Sequence, residues 1–114
     1  MIDVGAGAGN DAAALAALGH TVVAVEPVDE LRLGGQVSHP KPRIDWLNDS
    51  LPDLSVVRAR SERFDVVLLA AVWMHLDERQ RREAMPQLVS LLDEGAVLIM
   101  SLRHGPIPDR KSVV

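Results

Sequence analysis

Five consecutive residues near the start of the chain, Gly5-Ala6-Gly7-Ala8-Gly9, carry no side chain larger than a methyl group. They follow the apolar Met1-Ile2-Asp3-Val4 and precede Asn10-Asp11 and the run Ala12-Ala13-Ala14-Leu15-Ala16-Ala17-Leu18. Glycine reaches backbone conformations closed to other residues and lets another group lie directly on the main chain. Alanine has the best helix propensity and little bulk, so this helix can pack close to a sheet. Asn10 or Asp11 is expected to cap the helix, and Gly19 to end it in the left-handed conformation. A strand, a small-residue turn and a helix, in that order, open a β-α-β unit and leave few folds available.

The rest of the chain repeats the alternation. Thr21 to Val25 reads as a second buried strand that stops at Glu26-Pro27. A short helix is expected from Asp29 to about Arg32, then a loop through Gly34-Gly35 and His39-Pro40-Lys41-Pro42. Arg43 to Leu47 is a weak third strand. Phe64 to Val72 is the clearest strand, and Asp77 to Leu92 has helical spacing, with Pro86 expected to kink or restart it. Ala96 to Leu102 reads as the fifth strand, and Ile107 to Val114 as a polar tail. The expected order is β-α-β-α-β-(α)-β-α-β. Strands alternating with helices imply right-handed crossovers and a parallel sheet, here one domain over residues 1–106 with a tail at 107–114.

Composition narrows the function. The hydrophobic share is 47%, but Trp46, Phe64 and Trp73 are the only aromatic residues. The core is therefore aliphatic, as buried parallel strands require. The formal net charge of −4 comes without a basic patch, which argues against nucleic acid as a partner. Arg79, Arg81 and Arg82 alternate with acids and read as a solvated helix face. There is no cysteine, so disulfides and thiolate metal sites are excluded. No two histidines have metal-ligand spacing, and no metal is expected. No apolar run approaches the ~20 residues of a membrane span, and no basic region precedes the apolar start. A cytoplasmic location is the default expectation.

The small-residue turn points to a ligand. A helix N-terminus behind it can present N–H groups to an anion, and Glu26 ends the next strand about 20 residues later. In Rossmann-like folds an acid there accepts hydrogen bonds from ribose hydroxyls. The dinucleotide pattern G-x-G-x-x-G would require glycine at position 10, which is Asn10. The glycines instead alternate, two residues after Asp3. Glu26-Pro27-Val28-Asp29 holds no base for the 2′-phosphate of NADP.

The D-x-G-x-G-x-G pattern of Asp3 to Gly9 resembles motif I of the class I S-adenosylmethionine-dependent methyltransferases. Phe64-Asp65-Val66-Val67-Leu68-Leu69-Ala70-Ala71-Val72-Trp73-Met74-His75-Leu76 resembles the family's later "F-D-hydrophobic…-H-L" segment, which runs under the methionine part of the cofactor. Leu91-Leu92-Asp93-Glu94-Gly95-Ala96-Val97-Leu98-Ile99 resembles its "L-L-x-P-G-G-x-L-x", with Glu94 in place of proline and Ala96 in place of the second glycine. The resemblance runs from Met1 to about Pro106. It implies a three-layer α/β sandwich with a Rossmann-like, mostly parallel sheet in strand order 3-2-1-4-5.

The resemblance also implies S-adenosylmethionine as cofactor. Asp3, Gly5, Ala6, Gly7, Gly9, Glu26, Pro27, Asp49, Ser50 and Ala71 would bind it, with Asp49 on the adenine amino group. Asp49 also suits a turn-forming role beside Asn48, Ser50 and Pro52. His75, at the carboxyl end of a strand, is the candidate catalytic base; it could equally bind the cofactor or cap the next helix. Trp73 reads first as a packing residue, and Arg103 and His104 as rim or loop residues. His20 and His39 read as surface residues. The family's extra first helix and its strands six and seven are not found, so the chain looks truncated or minimal. Strand five would then be an open edge, and a homodimer through it, or a partner that covers it, is expected. The expected activity is methyl transfer to a small-molecule acceptor. The alternatives are a non-catalytic cofactor-binding module and, less favoured, an NAD-dependent oxidoreductase.

Overall fold

The computed structural model describes residues 1–40, 43–70 and 72–101. Five strands form one parallel sheet in the order β3-β2-β1-β4-β5, as the resemblance implies. They are β1 (Ile2–Val4), β2 (Val22–Val25), β3 (Ile44–Leu47), β4 (Phe64–Ala70) and β5 (Leu92–Ser101). The helices are α1 (Asn10–Ala17), α2 (Asp29–Ser38), α3 (Ser55–Ala59) and α4 (Glu78–Ser90), with a single 3₁₀ turn at Trp73–His75.

The period-two alternation of a strand sorts the core into two layers. Ile2, Val4, Val23, Val25, Val67 and Leu69 face one side, where Leu54, Val57, Leu88 and Leu91 cover them from α3, α4 and their ends. Val22, Ala24 and Ile44 face the other side and pack on Ala12, Ala13 and Ala16 of α1. β1 is short but central, and all three of its residues are buried, including Asp3. Among the described residues, the β4–β5 half of the α1 face lies open: Val97 and Ile99 are 50% and 49% exposed.

Several local expectations change. The α1 N-cap is Gly9, in the left-handed conformation, and neither Asn10 nor Asp11 caps with its side chain. The C-terminal end behaves as expected. Gly19 has φ 98°, and the amides of Gly19 and His20 return to Ala16 and Leu15 at 3.0 and 3.2 Å, closing a Schellman motif. α2 runs straight through Gly34-Gly35, the supposed loop, because Gly35 is the buried contact of that helix. α4 also runs through Pro86 as one element. β5 begins at Leu92, four residues earlier than expected, and absorbs Gly95 at a register shift opposite Phe64 and Val66. The strand expected to reach Val72 ends at Ala70. The side chains expected at Ala71, Arg103 and His104, the end of strand five at Leu102 and the tail at 107–114 lie outside the described residues.

Candidate functional site

In open parallel sheets the ligand crevice lies at the carboxyl ends of the strands, where the strand order reverses. Here that point falls between β1 and β4, and two connections meet on it. One is the turn Gly5–Gly9; the other is Val72–Leu76, leaving β4. A Cβ placed on Gly5 would stand 3.0 Å from the Cβ of Val72, so the two connections are in contact.

The turn is fixed from within. The amides of Gly5 and Ala6 both donate to the Val25 carbonyl at 2.9 Å, and the Gly9 amide donates to Ala6 at 3.0 Å. The Gly7 amide donates to Oε1 of Glu26 at 2.7 Å, and the Val28 amide to Oε2 at 3.0 Å. These amides of the turn itself are therefore used by the protein, ahead of the first residues of α1. The turn instead leaves part of its backbone uncovered by any side chain. Gly7 makes this plainest: its φ is +61° and a Cβ there would meet nothing within 4 Å.

Glu26 is buried and closes β2 against the turn from β1, so the sequence-predicted pair of turn and acid is brought together. Asp3, on β1 two residues before the turn, has both carboxylate oxygens buried and without a hydrogen-bond partner. Burial, and then the charges of Asp11 and Glu26, push its pKa from 3.8 up to about 7. Pro27 is exposed beside Glu26, and Ala6 packs with the α1 layer. Asp49 is buried too, but its oxygens accept from the amides of Ser50 and Val57, both at 2.9 Å. The turn-forming role is thus realised, and Asp49 also anchors the first turn of α3. Ser50 is exposed next to it. His75 is exposed on the 3₁₀ turn, on the same rim.

Three residues near the turn carry no signal in the sequence that marks them as site residues. Trp46 of β3 lies on the glycine turn: a Cβ on Gly9 would come within 2.6 Å of its ring, and one on Gly35 would strike the same ring. Its Nε1 is buried and unpartnered. Only the pairing of two glycines distant in sequence with one aromatic could have signalled this. Arg32 turns back from α2 to donate to the Glu26 carbonyl at 2.9 Å and to pair with Asp29 at 2.6 Å. A cation therefore does reach this rim, though from beyond the Glu26–Asp29 segment, and Asp29 neutralises it. His39, read as a surface residue, faces Asn10 Oδ1 at 3.3 Å. Two clefts of about 270 and 310 Å³ open at the amino ends of the strands, around Arg58 and Ser90 and around Met1 and Asp93. Neither includes a predicted site residue. Among the described residues no cluster of His, Asp and Glu could hold a metal ion, and no helix is long and apolar enough to cross a membrane.

Residues 1–95 match the family model described as "Methyltransferase domain". The chain belongs to the methyltransferase-domain family. Solved structures share its fold. The glycopeptide N-methyltransferase MtfA, complexed with (S)-adenosyl-L-methionine, superposes with a TM-score of 0.74 at 19% identity, over 87% of this chain and 45% of that one. A TehB-like SAM-dependent methyltransferase from Corynebacterium glutamicum gives 0.72 at 24% identity, over 87% and 52%. The CcbJ methyltransferase from Streptomyces caelestis gives 0.73 at 22% identity, over 87% and 43%. This methyltransferase domain thus spans about half the length of the solved relatives, or less. A search of curated proteins finds no match.

Proposed function

We propose that this methyltransferase domain binds S-adenosylmethionine across the turn Gly5–Gly9 and transfers its methyl group to a small-molecule acceptor. The observation that carries this reading is Asp3: a buried carboxyl group without a hydrogen-bond partner, on β1 two residues before a turn of glycine and alanine only. Leaving such a group unpaired is costly, and a cationic ligand nearby would offset that cost. S-adenosylmethionine supplies an electrophilic methyl group on a positively charged sulfonium. Glu26 is already oriented by two backbone amides and has lone pairs left for ribose hydroxyls. Gly7 keeps the approach open. His75, exposed on the 3₁₀ turn after β4, would take a proton from the acceptor. Asp49 contributes through the loop it shapes, which would present Ser50 to the adenine edge.

The acceptor assignment rests on the absence of a basic patch in the sequence, with a net charge of −4. A glycopeptide N-methyltransferase among the structural relatives favours the same class. A second reading, a cofactor-binding module without turnover, needs only the turn and Glu26, the two site features joined by a direct hydrogen bond.

Calorimetric titration with S-adenosylmethionine, S-adenosylhomocysteine and NAD tests both readings, followed by turnover against a panel of acceptors. Adenosyl binding without NAD binding is the expected result. NAD binding alone would overturn the cofactor, and adenosyl binding without turnover would select the second reading.

A further inference from the structure

The connection between β4 and α4 touches the glycine turn through Val72, and little in its own backbone holds it there. Its 3₁₀ turn closes on the amides of His75 and Leu76, which donate to the carbonyls of Val72 and Trp73 at 3.1 Å each. α4 then starts at a capping box, with Asp77 and Gln80 exchanging side-chain-to-backbone bonds at 2.7 and 2.9 Å. Arg81 lies one turn into that helix. Its Nε donates to the Trp73 carbonyl at 3.3 Å, and its guanidinium carbon stands 5.9 Å from the centre of the Trp73 ring. That separation is within cation–π range. Trp73 and Val72 both pack onto the core layer under α4.

The neighbouring arginines behave differently. Arg79 pairs with Glu83 and Arg82 with Glu78, both on the solvent side. Among the described residues Arg81 pairs with no carboxylate; it points inward, and what it holds is the tryptophan. By charge pattern alone all three arginines read as one solvated face.

We propose that Arg81 is a positioning residue for the cofactor pocket: by gripping Trp73 through its carbonyl and its ring, it keeps Val72 seated against Gly5. The pocket floor between the two connections is then formed before the ligand arrives, and the ligand does not have to order it. This inference rests on the adenosyl-cofactor reading above.

The test compares Arg81→Met, which keeps the aliphatic stem, with Arg81→Lys, which restores the charge, and Arg82→Met, which removes an equal charge from the outer face. Titration with S-adenosylhomocysteine should show Arg81→Met at least fivefold weaker than the parent, Arg81→Lys recovering part of the loss, and Arg82→Met within twofold. Thermal midpoints of all three should stay close to the parent. Parent-like affinity in Arg81→Met overturns the inference. If the parent itself binds no adenosyl compound, the cofactor reading fails instead. Amide exchange at His75 and Leu76 in the free protein then decides the clamp: exchange at least tenfold faster in Arg81→Met than in Arg82→Met supports it, and equal rates overturn it.

Discussion

The Gly7 amide donates to Oε1 of Glu26 at 2.7 Å, so the acid that ends β2 is fastened to the turn that leaves β1. One carboxylate thus has two duties, holding the turn in shape and, in the proposed complex, receiving ribose hydroxyls. The duties can be separated. Glu26→Ala leaves the amides of Gly7 and Val28 without acceptors, and should cost about 1–3 kcal/mol of stability for each that stays unsatisfied. Glu26→Gln keeps one acceptor. It should lose about 1–3 kcal/mol for the one amide left unsatisfied, less than Glu26→Ala, and bind S-adenosylhomocysteine more weakly by about a further 1–3 kcal/mol. Unfolding and calorimetry on both variants read the two effects. Unchanged affinity in Glu26→Gln would remove Glu26 from the set of ligand contacts.

Asp3 predicts a pH dependence of definite sign. Its pKa is 3.8 in an ordinary environment and about 7 in the fold, raised by burial first and then by Asp11 and Glu26. Between those values the folded state holds a proton that the unfolded state has lost. The Asp3 contribution to stability therefore falls as pH rises from about 4 to about 7, and is level above that. At 1.36 kcal/mol per pKa unit the full effect is at most about 4 kcal/mol. Urea unfolding at several pH values should show Asp3→Asn lacking this slope relative to the parent. A cationic ligand reverses the preference by favouring the ionised form. S-adenosylmethionine should bind more tightly as pH rises through about 7 and should release a proton on binding below it. Calorimetry in buffers of different ionisation enthalpy measures that proton. Parallel unfolding profiles for parent and Asp3→Asn would show that Asp3 does not titrate in this range.

The layered fold and the pairing of turn with acid were legible because they rest on local signals. Strand-to-helix alternation, alternate glycines and the strand-end Glu26 are each contained in a few consecutive residues. The misreadings have a different origin. Gly34-Gly35 reads as a loop by propensity, yet the helix continues because Gly35 is the one residue that fits beside Trp46 and the Ala8 carbonyl. Gly9 replaced Asn10 as the cap because the turn needed a left-handed residue at that point. Arg81 reads as solvated because its partner, Trp73, carries no charge to announce the contact. Each miss depends on which residues meet across the fold, and sequence periodicity does not carry that information.

Trp46 makes the two glycine positions separable by experiment. A Cβ on Gly35 would press on the Trp46 ring and come within 2.8 Å of the Ala8 carbonyl, whereas a Cβ on Gly7 would meet open space. Gly35→Ala should therefore lose about 1–3 kcal/mol through overpacking. Gly7→Ala should lose about 1–2 kcal/mol, the backbone cost of a left-handed residue. Binding should reverse the order, because the Gly7 methyl projects where the ligand approaches. Chemical denaturation and S-adenosylhomocysteine titration on both variants check this. Equal affinity for Gly7→Ala and parent would place the ligand elsewhere on the rim.

Asp49 offers the last discrimination, between a residue that shapes the site and one that touches the ligand. Its Oδ2 accepts from the Val57 amide across eight residues, and α3 has no side-chain cap from its own N-cap residue, Leu54. Asp49 is in effect the cap of that helix, supplied from the loop after β3, and Oδ1 is engaged with Ser50 at 2.9 Å. Asp49→Ala should therefore destabilise the fold by about 0.5–2 kcal/mol, the usual cost of losing a cap. Asp49→Asn, which keeps one carbonyl oxygen, should recover part of that. If Asp49 acts only by shaping the loop, Asp49→Asn should bind S-adenosylhomocysteine and S-inosylhomocysteine in the same ratio as the parent. The second compound carries a 6-oxo group and an N1–H in place of the adenine amino group and its N1 acceptor, so it presents an acceptor where adenine donates. A ratio that collapses toward one in Asp49→Asn would instead put the carboxylate on that amino group, and the ligand would then share an oxygen with the α3 cap.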